Sequence, residues 1–398
     1  MKVVTDKDKI EELLSRGVEN IFPNKEALEK VLKSGKRIRL YCGYDPSATA
    51  LHIGNAISIN KLAQFQELGH DVIFLVGDFT GMIGDPTDKS AARKKMTRED
   101  VLENSRHYEK QASAYLDFKG KNKAQLRYNS EWSDSMTFKD LIELSSNFTV
   151  QQMIQRDMFQ ERLKSEKPIY LHEFLYPLAQ GYDSVGMDVD LEVGGNDQMF
   201  NMLAGRELQK VLNNKEKFVV TLKLLADDSG KKMGKSEGNA VFLSEEPNNM
   251  FGLIMSWPDG VIGVGLELCT KLPWDEVKKD QEILKKGEEN PRDLKMKLAY
   301  EVTKLVHGEK KAQEAKDHFV KTISNKEVPE EIEEVKPSAY DIITVLADSK
   351  MVSSRSEAKR VIMQNGVKVN QKIVNDIQAK LKPGDIVQKG KIKFIKLK

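Results

Sequence analysis

Cysteine is nearly absent: the 398 residues contain only Cys42 and Cys269, in segments expected to belong to different domains. Two such residues support neither a disulfide framework nor a cysteine metal cluster, so any metal is expected to arrive with a substrate. Long apolar runs are missing too. No stretch approaches the roughly 20 residues that cross a bilayer, and the opening residues carry no apolar signal-peptide core. The expectation is a cytoplasmic protein with no membrane partner. A strong overall charge is also lacking, at net +2, but the sum hides an asymmetry. Residues 337–398 hold 13 Lys and Arg against 5 Asp and Glu, so the remaining chain is net acidic. A basic tail on a mildly acidic body points to a polyanion partner at that end. The chain is 39% apolar and 31% charged, the profile of a globular protein long enough for two or three domains.

The stretch 40–55 concentrates unusual requirements. An apolar run ends at Cys42, Gly43 and Asp45 to Ser47 break it, and a helical pattern starts near His52. A helix N-terminus offers unpaired backbone N–H groups and positive dipole, here beside His52, Gly54 and Asn55, and phosphate is the natural guest. Gly54 lacks a side chain, so a flat ring such as a nucleobase has room against the backbone. Taken alone, the segment reads first as an ordinary helix cap.

Residues 7–34 read as a charged amphipathic helical pattern. The helix after His52 runs to Gly69, and 72–76 is a continuous apolar strand of the kind buried on both faces of a parallel sheet. A Gly-rich loop with Asp78 and Asp85 follows, then a capping box at Thr97 that opens a helix to about Leu116, and a strand at 125–128. This alternation predicts an α/β fold with a Rossmann-like, doubly wound parallel sheet and ligands beyond the strand carboxyl ends. Further helices start at Thr137 and Thr149. The apolar stripe Met153, Ile154, Met158 and Phe159 reads as core or subunit contact. On the next helix Tyr176, Gln180 and Asp183 share one face at i, i+4, i+7, a phenol, an amide and a carboxylate suited to a small polar molecule. Residues 187–193 alternate as a strand, and Gly194 and Gly195 lead to Asp197 and Gln198, placed to meet a ribose or a carbonyl.

After a strand at 219–225 comes a loop with Lys232, Lys235 and Ser236 between Gly230, Gly234 and Gly238, a cationic clamp. Combined with His52, Ile53, Gly54 and Asn55, it resembles the paired signatures of class I aminoacyl-tRNA synthetases, His-Ile-Gly-His and Lys-Met-Ser-Lys-Ser. The segments around Tyr41, Gly84 to Pro86, Tyr176 to Asp183 and Gly194 to Gln198 make the chain similar to the tyrosyl-tRNA synthetases over essentially its whole length. Three positions depart from the pattern: Asn55 stands for the second histidine, Gly234 for the middle serine, and Glu192 for a glutamine. Glu192 is therefore given no substrate contact. Asn55 is still able to donate to phosphate.

The resemblance implies a tyrosine–tRNA ligase that joins L-tyrosine and ATP to tyrosyl-adenylate, then charges tRNA(Tyr), with Mg2+ carried by ATP. Tyr41 and Asp183 would meet the substrate phenol, and Asp85, Tyr176 and Gln180 its ammonium group, with Asn129 a further pocket residue. Phenylalanine would leave the phenol-reading pair unsatisfied, a discrimination for which this family is itself the standard example. The implied ATP set is Gly43, Asp45, His52, Gly54, Asn55, Gly195, Asp197, Gln198, Lys232, Lys235 and Ser236. Of these His52, Asn55, Gln198, Lys232 and Lys235 would act on the reacting phosphates.

The catalytic domain is expected over 1–240, an α-helical anticodon-side domain over 241–325, and a charged, proline-bracketed linker over 326–337. Residues 338–398 resemble a small α+β S4 RNA-binding domain, with Arg355, Lys359 and Arg360 near one helix face for RNA. A homodimer is implied by family alone. Two alternatives stay open: a tryptophanyl-type synthetase, and a catalytically inactive synthetase-derived RNA-binding protein.

Overall fold

The computed structural model describes residues 2–86, 96–227, 229–234, 238–324, 332–352, 354–390 and 393–398. They form two units, Met1–Ala312 and Gln313–Lys398. The first is built on six strands: β1 (Val18–Phe22), β2 (Arg39–Tyr44), β3 (Asp71–Val76), β4 (Gln125–Tyr128), β5 (Leu191–Gly195) and β6 (Phe218–Leu222). Their spatial order is β1-β6-β5-β2-β3-β4, with every pairing parallel except β1 on β6.

Chain order explains the site. The sheet grows outward from β2 through β3 to β4, then the chain returns to the other side of β2 for β5 and β6. At such a switch the connections leave in opposite directions and a crevice opens beyond the strand ends. Between β2 and β5 only Leu40–Leu191 and Tyr41–Glu192 pair, so the two strands part beyond Tyr41 and Glu192. The helix Ile53–Glu67 covers the sheet with Ile57, Ile59, Leu62 and Phe65, all buried.

Residues 7–34 do not form one helical pattern. Two short helices, Lys7–Ser15 and Lys25–Lys33, flank β1, whose five residues are too few to break the surrounding Lys/Glu periodicity in sequence. The helix expected from Thr97 to Leu116 keeps its capping box but divides into Arg98–Ser105 and Tyr108–Ala112. After the break, the Tyr108 hydroxyl donates to Ala48 O (2.7 Å) and Gln111 Oε1 accepts from Leu51 N (2.7 Å), so tertiary bonds to the 48–51 turn override the local pattern. The strand expected at 187–193 is confined to β5.

Residues 247–307 contribute four helices to the first unit, Pro247–Met255, Ile262–Cys269, Trp274–Lys286 and Pro291–His307. Buried Arg16 ties them to the N-terminal helix, donating to Glu267 O, Thr270 O and Leu272 O at 2.7–3.0 Å. Cys42 and Cys269 both lie in this unit as buried free thiols. Among the described residues no single helix is long and apolar enough to cross a membrane.

The second unit has its own five-stranded sheet: β7 (Glu333–Val335), β8 (Val367–Val369), β9 (Lys372–Ile373), β10 (Ile386–Lys389) and β11 (Lys393–Leu397), in the order β7-β11-β10-β8-β9. Helices Ile342–Asp348 and Arg355–Met363 close its core through Ile342, Val345, Leu346, Ala358 and Ile362 against Val367, Val387 and Ile395. Residues 333–335, expected within a linker, form β7 and pair in parallel with β11. Their charges did not read as a strand because edge strands carry charge outward.

Buried His70 gives the first unit an acid-sensitive point. Its Nδ1 accepts from Ile38 N (3.4 Å), and burial, with the Arg37 charge second, lowers its pKa to about 4. Folded His70 stays neutral where the unfolded chain, titrating near 6.5, already takes a proton. Its contribution is therefore complete above pH 6.5 and is lost as pH falls toward 4. Urea unfolding is expected to show about 2 kcal/mol less stability from this group at pH 5 than at pH 7, a difference that His70→Gln removes.

Candidate active site

Beyond the carboxyl ends of β2, β3, β5 and β6 lies a cavity of about 630 Å³. Tyr41, Gly43 and Asp45 reach it from β2, His52, Gly54 and Asn55 from the helix start, and Asp85 from the loop after β3. Tyr176, Gln180 and Asp183 line it from the helix Leu171–Gly186. Glu192, Gly195, Asp197 and Gln198 come from β5 and its turn, Lys232 from the loop after β6. Depth grades this set: Tyr41 and Asp183 are fully buried, whereas Asp197 and Lys232 are nearly half-exposed and paired at 3.1 Å.

At the deep end, Asp183 Oδ1 accepts from Trp132 Nε1 (2.9 Å) and Oδ2 from Asn129 Nδ2 (3.4 Å). Burial pushes its carboxyl well above the usual range, against those two hydrogen bonds, and the Glu192 and Asp45 charges add to the rise. Burial likewise holds the Tyr41 and Tyr176 phenols neutral. In the middle, Asp45 accepts from Thr80 Oγ1 (2.6 Å) and from the Tyr176 hydroxyl (2.8 Å). Asp85 accepts from Gln198 Nε2 (2.7 Å), whose own carbonyl accepts from Asn201 Nδ2 (2.9 Å).

At the outer end the two motif segments are stitched together. Ile53 N donates to Val241 O (2.9 Å), Leu243 N to Leu51 O (2.8 Å), and Met233 N to Leu225 O (2.7 Å), so the lysine loop returns to the helix start. Asn55 Oδ1 accepts from His52 N (3.0 Å), which assigns its oxygen inward and leaves the amide N–H group as the donor for the cavity. A Cβ on Gly54 would lie 2.8 Å from the His52 ring. A residue without a side chain therefore leaves the His52 imidazole its room at this point.

Residues 33–324 match the model of class I tRNA synthetases (W and Y), and residues 342–387 that of the S4 domain. The tyrosine–tRNA ligase of Thermotoga maritima is 41% identical over 97% of this chain and 96% of its own length. That of Carboxydothermus hydrogenoformans is 42% identical over 97% of both. The chain belongs to the tyrosyl-tRNA synthetases of class I. Solved structures agree in fold: a C-terminally truncated mitochondrial tyrosyl-tRNA synthetase of Aspergillus nidulans (TM-score 0.65, 22% identity, 78% of this chain and 93% of that one) and the Archaeoglobus fulgidus tyrosyl-tRNA synthetase complexed with L-tyrosine (0.61, 21%, 78% and 99%).

In this synthetase the cavity gathers every described residue that the sequence singled out for tyrosine or ATP except Asn129. That side chain is fully buried behind the wall, donating to Thr80 Oγ1 (2.9 Å) and Asp183 and accepting from Phe79 N (2.8 Å). Lys235 and Ser236 lie outside the described residues. Asp45, assigned to ATP in sequence, is bonded to Tyr176 of the ammonium set, and Asp85 of that set to Gln198 of the ATP set. Thr80, Trp132, Ser184 and Lys217 were missed. Thr80 and Trp132 sit in segments already marked as motifs, and Ser184 follows Asp183, but only the fold turns them inward. Arg355, Lys359 and Arg360 are all exposed on the helix Arg355–Met363 of the second unit.

Proposed function

We propose that the deep end of the cavity takes the side chain of L-tyrosine and the outer end takes ATP with its magnesium. The graded exposure from Tyr41 and Asp183 to Asp197 and Lys232 carries this reading. Asp183, held by donors on both oxygens, accepts from the phenol. Tyr176, Gln180 and Asp85 hold the ammonium group, Asp45 and Asn129 fix Tyr176 and Asp183, and Gly43 and Gly195 let the nucleotide approach the backbone. The substrate carboxylate attacks the α-phosphorus in line, the bond to pyrophosphate breaks, and tyrosyl-adenylate forms. No side chain is a nucleophile. His52, Asn55, Gln198, Lys232 and Lys235 stabilise charge as it moves onto the phosphates, with Gly54, Asp197 and Ser236 completing the ATP contacts. The tyrosyl group then passes to a ribose hydroxyl of the 3′-terminal adenosine of tRNA(Tyr). Arg355, Lys359 and Arg360 meet structured RNA, supported by their exposure and by the net positive charge of residues 337–398.

ATP–pyrophosphate exchange is the test. Exchange is expected with tyrosine, orders of magnitude more weakly with phenylalanine, and not with tryptophan; exchange with tryptophan alone overturns the specificity, and none with any amino acid leaves an RNA-binding protein.

We place the enzyme in the cytoplasm, where its substrates meet, and as a homodimer. Phe138, Ile142 and Val150 expose apolar side chains, and Phe138 borders an apolar hollow with Leu141, Leu144 and Leu175. The mass in solution is expected to be twice that of the chain, and Phe138→Glu to halve it in light scattering.

A further inference from the structure

Lys217 precedes β6 and is fully buried, outside the cavity lining, a costly place for a charge unless it is paired. Its ammonium pairs with Glu192, donates to Ser184 Oγ (2.7 Å), and lies 5.9 Å from the centre of the Tyr41 ring. Gly205 makes the room: a Cβ there would come within 2.7 Å of Lys217 Nζ and 2.8 Å of Ser184 Oγ. Ser184 Oγ is in turn 3.0 Å from the Tyr41 hydroxyl.

Donor counting favours one direction for this chain. An ammonium only donates, so Ser184 accepts from Lys217 and has its single proton to give to Tyr41, in a pair where either hydroxyl could be the donor. Tyr41 then accepts from Ser184 and keeps its own proton to give. The competing acceptor is Glu192, which also interacts with the Tyr41 hydroxyl. Lys217 on one Glu192 oxygen and Gln180 Nε2 on the other (3.3 Å) share that carboxylate and weaken its pull on the Tyr41 proton. On the far side of the substrate, Asp183 is an acceptor.

We propose that Lys217 is a positioning residue for amino-acid recognition: by donating to Ser184 and holding Glu192, it makes the Tyr41 hydroxyl the donor to the substrate phenol. The phenol then accepts from Tyr41 and donates to Asp183, in one polarised line from an ammonium to a carboxylate. The proposal rests on the reading that the deep end takes tyrosine.

Two variants test it through ATP–pyrophosphate exchange. Lys217→Met with Glu192→Gln removes both charges together, so no buried ion is left unpaired, and Ser184→Ala cuts the line at its middle with little change of volume. Each is expected to raise KM for tyrosine about ten-fold while kcat and KM for ATP stay within about two-fold. In Ser184→Ala, kcat/KM with phenylalanine, which has no hydroxyl to place, is expected to be unchanged, so the tyrosine-to-phenylalanine ratio falls about ten-fold. A ratio equal to that of the unaltered enzyme in the Ser184 variant, or equal losses for both amino acids, overturns the proposal and leaves Lys217 a structural ion. Absence of tyrosine-dependent exchange in the unaltered enzyme defeats the underlying reading instead, and the inference with it.

Discussion

Asp183→Ala is expected to lower kcat/KM for tyrosine by about two to three orders of magnitude and to leave KM for ATP nearly unchanged. Two effects combine. The substrate hydroxyl loses a charged acceptor in a buried site, and Trp132 Nε1 and Asn129 Nδ2 lose the oxygens that satisfy them. Phenylalanine never used that acceptor and suffers only the second effect, so its loss should be much the smaller and the preference for tyrosine should collapse. Steady-state exchange with both amino acids measures this, and a loss shared equally by the two would mean that Asp183 serves the fold. The same carboxyl predicts a pH effect. Burial raises its pKa, so it takes up a proton at higher pH than an ordinary carboxylate does. Once neutral it is a weaker acceptor, so KM for tyrosine is expected to climb as pH falls through this raised pKa, at higher pH than an ordinary carboxylate would give, while KM for ATP follows a different curve. The variant should lose this pH dependence.

Removal of the five-stranded sheet of the second unit is expected to separate the two half-reactions. A chain ending at residue 332 should still exchange pyrophosphate with tyrosine at close to the full rate, because every described cavity residue lies in Met1–Ala312. Charging of tRNA should fall by about two orders of magnitude at physiological salt, since several Lys and Arg contacts to phosphate are lost together. The cut belongs before β7, because a chain ending at Val335 would keep a strand without its β11 partner. Aminoacylation measured against salt concentration supplies the check. Unchanged charging would assign the basic tail another task.

The legible part of this protein was written in short local patterns. Glycines at strand ends, capping residues such as Thr97, and the i, i+4, i+7 spacing of Tyr176, Gln180 and Asp183 are properties of neighbours in the chain, and the structure keeps them. Less legible were elements whose stability comes from elsewhere. β1 exists because β6 offers it a partner edge, and the break before Tyr108 exists because Ala48 and Leu51 have polar groups to satisfy. Glu192 shows the limit most clearly. In sequence it was a departure given no role, and Lys217, 25 residues away, carried no motif at all.

Sequence alone determined the α/β alternation, the family, and the residues singled out for tyrosine and ATP that line the cavity, because they cluster at strand ends and helix starts. The tertiary structure decided how those residues are wired to one another: Asp45 to Tyr176, Asp85 to Gln198, and Asp183 to Trp132. Lys217 reaches Tyr41 through Ser184 in the same way. These links join residues distant in the chain, and each depends on strand order and on where β2 and β5 part, which no local pattern encodes.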